Sequence, residues 1–402
     1  MLIVQKFGGS SVADAEKIRR VAGIVADTYS EGHDVVVVLS AQGDTTDDLI
    51  DKAHEINENP SKREMDVLLS TGEQISIALL AMALEKIGLP VISLTGWQIE
   101  MSTNSSYGAA RIKKIGAERL RRELDKRRIV IIAGFQGINK YDDITTLGRG
   151  GSDTSAVAIA AALHADSCQI YTDVEGVYTA DPRKVEGALK LDAITYDEML
   201  ELASLGAQVL HNRSVEMAKR YGVNLEVLSS YVRKPGTKVK EVVKKVEQMK
   251  ISGIARDNNV ASISIEGVPD EPGISFKVFR ALAKAKINVD IILQSVERGG
   301  ANDISFTVAK ADVEAATDIM EALMETIGFN KVTVDTGVAK VSIVGAGMVT
   351  ASGIASLMFE ALYDAKVNIK MISTSEIKIS VLIDEEYVDA AVQAIHNKFF
   401  GD

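Results

Sequence analysis

The chain is poor in cysteine and in basic charge. Cys168 is the single cysteine among 402 residues, which excludes a framework of intrachain disulfides and is typical of a protein from a reducing compartment. Lysine and arginine together number 45 against 56 aspartates and glutamates, so the formal net charge is −11. This excess of negative charge argues against nucleic acid or an anionic membrane as a binding partner.

No segment of the sequence is expected to direct the protein to or across a membrane. Its longest stretch without a charged residue, Val341–Phe359, spans nineteen residues but contains three glycines and four serines or threonines. We interpret this stretch as strand, loop and helix start rather than as a membrane helix. The N-terminal residues have neither the basic start nor the apolar core of a signal peptide, so we expect a soluble, cytoplasmic protein.

Sequence motifs of several common sites are missing as well. The five histidines show no metal-ligand spacing, so a zinc site is not expected. No G-x-x-x-x-G-K-[ST] motif occurs, and the segment that begins at Gly345 has Thr350 where a dinucleotide fingerprint needs glycine or alanine. The residues that carry the chemistry must therefore be sought in other patterns.

The composition is that of an ordinary globular protein, with 46% apolar and 25% charged residues, and the length suits two or three domains. Up to Val232, short apolar runs alternate with helical patterns. Strands are predicted at Leu2–Lys6, Asp34–Leu39, Val91–Leu94, Ile129–Ala133 and Cys168–Thr172. Helices are predicted at Val12–Tyr29, Asp47–Glu58, Glu64–Ile87, Gly108–Arg127 and Thr154–His164. Continuous apolar strands separated by helices predict an α/β fold whose mostly parallel sheet is sandwiched by helices.

The second half of the chain contains an internal repeat. The segment Ala281–Ile292 matches Ala361–Ile372 at six of twelve positions, and each surrounding unit reads as a ferredoxin-like βαββαβ pattern. A basic segment, Arg233–Lys250, precedes the repeat and is interpreted as a solvated linker, although it could also grip phosphate. The predicted domains are therefore residues 1–232, a linker at 233–250, a first repeat unit at 251–338 and a second at 339–402.

One candidate site follows the first strand, where the chain runs into Lys6, Gly8, Gly9 and Ser10. Two glycines let the backbone approach a ligand, and the N–H groups that open the next helix point towards it. A lysine at the strand end adds a positive charge, and together these features suit phosphate. A purely structural turn remains the alternative at this point.

A second glycine cluster, from Gly148 to Asp153, opens the alanine-rich helix. Arg149 lies between glycines and can bind a carboxylate bidentately, whereas Asp153 can orient a lysine or a metal ion. Ser152 or Asp153 could instead serve only as the helix N-cap. That alternative leaves an arginine among three glycines unexplained.

Three further polar segments are predicted to meet at the same crevice, because ligands of such sheets bind at the carboxyl ends of the strands. The first follows the second strand and contains Ser40 and Thr46. The second is Thr71-Gly72-Glu73, which we take to interrupt a helical pattern. The third follows the fifth strand and holds residues suited to a nucleotide: Thr172, Asp173, Tyr178 and Arg183.

These motifs, taken in chain order, resemble those of aspartate kinases in the amino acid kinase family. The resemblance rests on KFGGSSV, VVVVLSAQGDTTDDL, STGE, IAGFQG, TTLGRGGSDTSA and YTDVEGVYTADPR. The segments VPDEPGISFKVFRAL and VNIKMISTSEIKISVLI are similar to the paired ACT regulatory domains of the same enzymes. The resemblance covers essentially the whole chain and implies the amino acid kinase fold followed by two ACT domains.

The resemblance implies transfer of the γ-phosphoryl group of MgATP to the β-carboxylate of L-aspartate, a step that opens lysine, threonine and methionine synthesis. Its cofactors would be ATP and Mg²⁺, with no protein cluster dedicated to the metal. The implied catalytic residues are Lys6, Asp153 and Arg149. The implied nucleotide-binding residues are Lys6, Gly8, Gly9, Ser10, Thr172, Asp173, Tyr178 and Arg183. The implied aspartate-binding residues are Ser40, Thr46, Glu73, Arg149, Gly150 and Ser152.

The ACT pair implies feedback by threonine, lysine or both. Its implied effector residues are Asp270, Gly273, Asn288, Gln294, Gly353, Asn368, Ser375 and Glu376. The resemblance further implies a homo-oligomer, a dimer through the ACT domains, or association with a separate ACT-only chain. An internal start near Met249 and the effect of Gln208, where relatives often have lysine, are left open.

Two alternatives remain at this stage. The same fold could phosphorylate acetylglutamate, glutamate or a nucleoside monophosphate. The chain could also be a catalytically silent amino-acid sensor, although the joint presence of Lys6, Arg149, Glu73 and Asp153 argues against this.

Overall fold

The computed structural model describes residues 1–205, 209–241, 251–295, 301–349 and 351–401. The described residues fall into two compact units. The first unit contains residues 1–178, 190–205 and 209–241. The second contains residues 179–189 together with the described residues from 251 onwards.

The first unit is built from twelve strands and seven helices within its described residues. The strands are β1 (Leu2–Phe7), β2 (Asp34–Leu39), β3 (Val91–Leu94), β4 (Ser102–Thr103), β5 (Ile112–Lys114), β6 (Ile129–Ala133), β7 (Gln136–Ile138), β8 (Ile144–Thr146), β9 (Ser167–Thr172), β10 (Ala193–Thr195), β11 (Leu225–Ser229) and β12 (Thr237–Lys240). The helices are α1 (Ala15–Ser30), α2 (Thr45–Ile56), α3 (Lys62–Lys86), α4 (Ala117–Leu124), α5 (Gly151–Leu163), α6 (Tyr196–Ser204) and α7 (Asn212–Tyr221).

An eight-stranded sheet in the order β10-β12-β11-β9-β1-β2-β6-β3 forms the centre of this unit. Its pairs are parallel except for β11 with β12. The apolar run of β2 is buried on both faces: Val35 and Val37 pack in one cluster with α1 and α3, and α5 packs against β1, β2 and β9. The predicted mostly parallel sheet sandwiched by helices is confirmed.

Two sequence-based predictions of helices differ from the structure. The predicted helix Gly108–Arg127 is wrong: residues 112–114 form β5 against β4, and α4 begins only after Gly116, its N-cap. Gly108 has a φ of +77°, which an α-helix does not allow. The predicted interruption at Thr71-Gly72-Glu73 is also wrong, because α3 is continuous there. A Cβ at Gly72 would lie 2.8 Å from the Ala41 Cβ, so the glycine serves close packing rather than a break.

The helix α3 is also long and apolar enough, by length and composition alone, to cross a membrane. Helices at the core of soluble proteins pass the same test. Part of this helix packs in the apolar cluster that covers the eight-stranded sheet, and it carries the buried carboxylates Asp66 and Glu73.

The second unit contains two four-stranded sheets, each covered by helices. Its strands are β13 (Gly253–Asp257), β14 (Ala261–Pro269), β15 (Ile292–Gln294), β16 (Ala301–Val308), β17 (Lys331–Asp335), β18 (Val338–Val344), β19 (Met371–Thr374) and β20 (Lys378–Asp384). Its helices are α8 (Ile274–Lys284), α9 (Val313–Ile327), α10 (Ile354–Asp364) and α11 (Val388–Phe400). The sheet orders are β15-β16-β14-β17 and β13-β18-β20-β19, so both repeat units take the predicted ferredoxin-like form.

One strand lies in the other repeat unit relative to the boundaries predicted at 251–338 and 339–402, because β13 belongs to the sheet of the second unit. The strand β13 pairs antiparallel with β18, from Gly253 opposite Val344 to Asp257 opposite Lys340. It therefore occupies in the second sheet the place that β17 occupies in the first. The internal repeat gave no sign of this, because β13 lies outside the matched segments and the pattern of a strand does not name its partner.

The segment 179–189 belongs to the second unit, although the predicted catalytic domain 1–232 includes it. Ala180 and Val185 share an apolar cluster with the helices of the second repeat unit, and the Thr179 hydroxyl lies 2.9 Å from His396 Nε2. The linker predicted at 233–250 is described only as far as residue 241. The prediction of a solvated linker is wrong for residues 237–240, which form β12 in the eight-stranded sheet and bury Thr237 and Val239. The domain boundaries as a whole stay a prediction.

Candidate active site

A cavity of about 670 Å³ lies in the first unit where β1 and β2 end and α5 begins. Its position matches the general rule that ligands of such sheets bind outside the carboxyl ends of the strands. All of the residues predicted for catalysis and aspartate binding line it: Lys6, Ser40, Thr46, Glu73, Arg149, Gly150, Ser152 and Asp153. Gly8 and Gly9, predicted for the nucleotide, line it as well. The structure thus brings together segments far apart in sequence.

Lys6 and Asp153 form an ion pair on the cavity wall. Lys6 lies near the end of β1, opposite Val38 of β2, and Asp153 lies in the first turn of α5. The Lys6 Nζ is 2.5 Å from Asp153 Oδ1, and each side chain is 12% exposed. Because both groups are largely removed from solvent, the carboxylate holds the ammonium group in one place on the wall.

The turn after β1 packs backbone to backbone against the loop after β2. The Gly43 N–H donates to the Gly9 carbonyl over 3.1 Å, and a Cβ at Gly9 would lie 2.6 Å from the Ala41 carbonyl oxygen. No larger residue fits at Gly9 without moving one of the two loops. This close approach places Gly8 and Gly9 beside Ser40 at the same side of the cavity.

The helix α5 presents its N-terminus to the cavity. Its N-cap is Gly150, which has no side chain to satisfy the free N–H groups of the first turn. Gly148 and Gly150 have φ values of +79° and +67°, a conformation that favours glycine, and the exposed Arg149 lies between them. The positive end of the helix dipole and a guanidinium are therefore close to each other, an arrangement suited to anions.

Glu73 is a buried carboxylate at the cavity, with only 3% of its surface exposed. The Ala41 N–H donates to its Oε1 over 3.1 Å, whereas its Oε2 has no hydrogen-bond partner among the described residues. Burial raises the pKa of Glu73 to about 8. A cationic group of a ligand would supply the missing partner and favour the ionised form.

Asp66 also lines the cavity, and the sequence analysis missed it. It is fully buried and accepts hydrogen bonds from the Gly108 N–H and from the N–H and hydroxyl of Thr146. Burial raises the pKa of Asp66 despite these bonds. A signal was available, because Asp66 precedes Glu73 by seven residues and lies on the same face of a helix.

The residues predicted to bind the nucleotide are only partly brought to the cavity. Thr172, which ends β9, donates its hydroxyl to Asp173 Oδ1 over 3.0 Å, but neither residue lines the cavity. Tyr178 is half-buried and also lies outside the lining, as does Ser10, whose carbonyl accepts from the Tyr231 hydroxyl. Arg183 belongs to the second unit, where its Nε lies 3.0 Å from Asp181 Oδ1. Gln208 falls outside the described residues.

The residues predicted to bind effectors lie in the second unit, four in each repeat. Gly273 and Gly353 are the N-caps of α8 and α10, with φ values of +96° and +83°. The other six are exposed polar side chains: Asp270, Asn288, Gln294, Asn368, Ser375 and Glu376. Asn302, which the sequence analysis missed, is buried and donates to Asp270 Oδ1 over 2.9 Å.

Within the described residues, no group of three or more histidine, cysteine, aspartate or glutamate side chains could hold a metal ion. A magnesium ion that enters with a nucleotide needs less than such a cluster, because Mg²⁺ in phosphate sites is bound by one or two carboxylates together with the phosphates. Asp153 offers a carboxylate at the cavity. The residues present therefore fit a metal that is carried by its substrate.

Comparison with known proteins gives matches along nearly the whole chain. Residues 1–229 match the model of the amino acid kinase family, and residues 261–328 and 341–399 match models of the ACT domain. An aspartate kinase of Stutzerimonas stutzeri is 50% identical over 399 residues, which are 99% of this chain and 97% of that protein. An aspartokinase of Corynebacterium glutamicum is 50% identical over 403 residues, 99% of this chain and 96% of its own length.

Solved structures give the same result. Aspartokinase III of E. coli in complex with aspartate and ADP, in its R-state, is 28% identical with a TM-score of 0.83, and the match covers 100% of both chains. The same protein in complex with lysine and aspartate, in its T-state, is 28% identical with a TM-score of 0.77 over 99% of both chains.

Proposed function

Since the chain belongs to the amino acid kinase family, among the aspartate kinases that carry two ACT domains, we propose that the cavity is the site at which aspartate is phosphorylated. Each group of lining residues is assigned a role in that reaction. The enzyme phosphorylates aspartate with ATP, and its ACT domains are regulatory. One observation supports the placement of this reaction in the cavity. A buried carboxylate with an unpaired oxygen faces the same space as a lysine, an arginine and the N-terminus of a helix.

Aspartate carries one ammonium group and two carboxylates, and the cavity offers a partner for each. Glu73 binds the ammonium group through its unpaired oxygen, and Arg149 binds a carboxylate with the two parallel N–H groups of its guanidinium. Ser40, Thr46, Gly150 and Ser152 line the remaining wall and orient the β-carboxylate. The acceptor atom is an oxygen of that β-carboxylate, and the product is 4-phospho-L-aspartate.

The part of the cavity around Lys6 and the Gly8–Gly9 turn binds the transferring phosphoryl group. Lys6, held by Asp153, neutralises negative charge there, and the backbone of Gly8 and Gly9 on the cavity wall approaches the phosphate oxygens. Ser10 stays in the proposal on the sequence resemblance alone. The acceptor carboxylate is ionised at neutral pH and needs no general base, so the protein has to align two anions and neutralise their charge. When bound with ATP, Mg²⁺ adds further neutralisation of the phosphates, and Asp153 would hold it.

The nucleoside part of ATP is assigned to Thr172, Asp173 and Tyr178. The support for this is the position of Thr172, which ends β9, the strand that pairs with β1 and so lies beside Lys6. Arg183 stays in the proposal on the sequence resemblance alone, and no contact is assigned to Gln208. The cytoplasm as the location of the enzyme is likewise part of the proposal.

Regulation is assigned to threonine, lysine or both, bound in the two ACT domains. The proposed pockets combine the helix starts at Gly273 and Gly353 with the exposed polar residues around them, Asp270, Asn288, Gln294, Asn368, Ser375 and Glu376. The support comes from the free N–H groups of a helix start, which suit an amino-acid carboxylate. Assembly as a dimer through the ACT domains, or with a separate ACT-only chain, is part of this proposal.

A phosphorylation assay across acceptors tests the proposed function. Purified enzyme with MgATP is offered aspartate, glutamate, acetylglutamate or a nucleoside monophosphate, and hydroxylamine traps acyl phosphates but not phosphate esters. We expect hydroxamate from aspartate. The matched control is Lys17→Ala, a half-buried lysine of α1 that is paired with the N-cap Asp14 and does not line the cavity. It should behave as wild type beside an inactive Lys6→Ala. A preference for another acceptor would refute the proposal.

A further inference from the structure

Two loops that line the cavity contact each other. They are residues 107–110 and residues 146–150, which we call the paired loops. The Ala110 N–H donates to the Thr146 carbonyl over 2.9 Å. A Cβ at Gly148 would lie 3.0 Å from the Gly108 carbonyl oxygen, so the two backbones are in close contact. Besides Arg149, six residues of the two loops line the cavity: Tyr107, Gly108, Ala109, Thr146, Gly148 and Gly150.

A buried anion from α3 binds both loops through their N–H groups. The Asp66 carboxylate accepts from the Gly108 N–H, with distances of 2.9 Å to Oδ1 and 3.0 Å to Oδ2. It also accepts from the Thr146 N–H over 2.9 Å and from the Thr146 hydroxyl over 2.7 Å. One side chain thus fixes the start of one loop relative to the start of the other.

A cation from α7 binds the same two loops through their carbonyl groups. The Arg213 guanidinium donates from Nη1 to the Leu147 carbonyl over 2.6 Å and from Nη2 to the Ala110 carbonyl over 3.0 Å. The neighbouring residue His211 also restricts this region, because a Cβ at Gly150 would lie 2.2 Å from its ring. The paired loops are therefore tied to each other by a carboxylate from one helix and by a guanidinium from another.

We propose that Asp66 and Arg213 are positioning residues for aspartate, which act by fixing the backbone on both sides of Arg149. Arg149 is exposed and lies between two glycines in the left-handed conformation, so the position of its guanidinium depends on the residues that hold the loop. Charged hydrogen bonds to backbone groups are stronger than neutral ones. This inference rests on the proposed function, in which Arg149 binds a carboxylate of aspartate.

The test uses Asp66→Asn, Arg213→Met and Arg213→Lys, with KM values for aspartate and for ATP measured separately. Asp66→Asn places an NH₂ group where an N–H donor needs an acceptor, and Arg213→Met removes both donors. We expect the aspartate KM to rise ~10-fold or more in these two variants, and the ATP KM to stay within about twofold. Arg213→Lys should be intermediate, since a lysine can reach only one of the two carbonyls.

Glu198→Gln is the matched control. Glu198 is another fully buried carboxylate of the first unit, and it accepts from the N–H and the hydroxyl of Thr195 over 3.1 Å and 2.8 Å. Asp66 binds Thr146 in the same way, but Glu198 does not line the cavity. This variant should lose stability and keep the aspartate KM of wild type, whereas a purely structural role of Asp66 predicts the same behaviour for both variants.

A double-mutant cycle with Arg149→Met separates action through Arg149 from general damage. If Asp66 and Arg213 act by positioning Arg149, their substitution should add no more than about twofold to the aspartate KM once the guanidinium is gone. Full additivity, or folded variants with a wild-type aspartate KM, would overturn the inference. If Asp66→Asn does not fold, the two Arg213 variants decide the question by themselves. A wild-type enzyme that forms no hydroxamate from aspartate would refute the proposed function instead.

Discussion

Glu73→Gln is the substitution whose consequences the structure specifies most fully. The side chain keeps its size, and an amide oxygen can still accept from the Ala41 N–H. What changes is the charge: burial raises the pKa of Glu73 to about 8 from an ordinary value of 4.5. Two measurements should report this change, the pH dependence of stability and that of aspartate binding.

The free energy of unfolding should depend on pH with a definite sign. Between pH 4.5 and about pH 8, the folded protein keeps a proton on Glu73 that the unfolded chain has released, so stability falls as pH rises through this window. The interval corresponds to about 5 kcal/mol at most, at ~1.36 kcal/mol per pH unit. Glu73→Gln should remove this contribution and make the enzyme more stable than wild type at pH 8.5, as denaturant unfolding of both proteins will show.

Binding should show the opposite preference, because the ammonium group of aspartate needs the ionised carboxylate. The wild-type KM for aspartate should fall about 20-fold between pH 6.5 and pH 8.5, and binding at pH 7 should release close to one proton. Calorimetry in buffers of different ionisation enthalpy measures this release. In Glu73→Gln the KM should be ~10²-fold higher and flat over the same range. A wild-type KM that does not vary with pH, together with no proton release, would refute the reasoning about Glu73.

The remaining predictions concern phosphoryl transfer, the acceptor and control. Lys6→Ala should lower kcat by ~10²–10³ or more in a folded enzyme, since it removes the positive charge at the phosphoryl side; a near-normal kcat would contradict this role. Arg149→Lys should raise the KM for aspartate far more than that for ATP, because a point charge replaces a planar fork; a rise in the ATP KM alone would assign Arg149 to the phosphates. Asp270→Ala and Glu376→Ala should leave uninhibited activity unchanged and weaken inhibition, measured by titrating threonine and lysine singly and together. Full wild-type activity with both amino acids at millimolar concentration would exclude feedback at these residues.

The strands of the central sheet could be predicted from sequence because their apolar runs are short and rich in valine and isoleucine, as in strands buried on both faces. Asp34–Leu39 and Ile129–Ala133 are strands with the predicted bounds. The predicted helix Gly108–Arg127 was too long. Its charged residues are compatible with the surface of a helix of either length, so they do not show where the helix begins. What limits α4 is the backbone at Gly116 and the pairing of Ile112 with Thr103, which the sequence does not display.

The residues of the candidate site also fall into two groups, those that the sequence indicates and those that only the fold reveals. Lys6, Arg149 and Asp153 stand out in sequence because charged residues beside glycines at predicted strand ends and helix starts have few structural explanations. Asp66 stands out only through its seven-residue spacing to Glu73, because an aspartate in a charged helix start otherwise resembles a solvent-exposed residue. Its role depends on two N–H groups brought to it from residues 108 and 146. Contacts of this kind, between segments distant in sequence, are set by the tertiary fold.

The placement of β13 beside β18 makes the first ACT domain an insertion within the second. The ribosome makes β13 before any of the first domain, yet the strand that receives it emerges only after that domain is complete. During synthesis, residues 253–257 therefore have no β18 to pair with until the intervening chain has been made. A regulatory chain that begins near Met249 would include this strand and could close both sheets, whereas one that begins at Ala261 would leave β18 as an open edge, prone to pair with other chains.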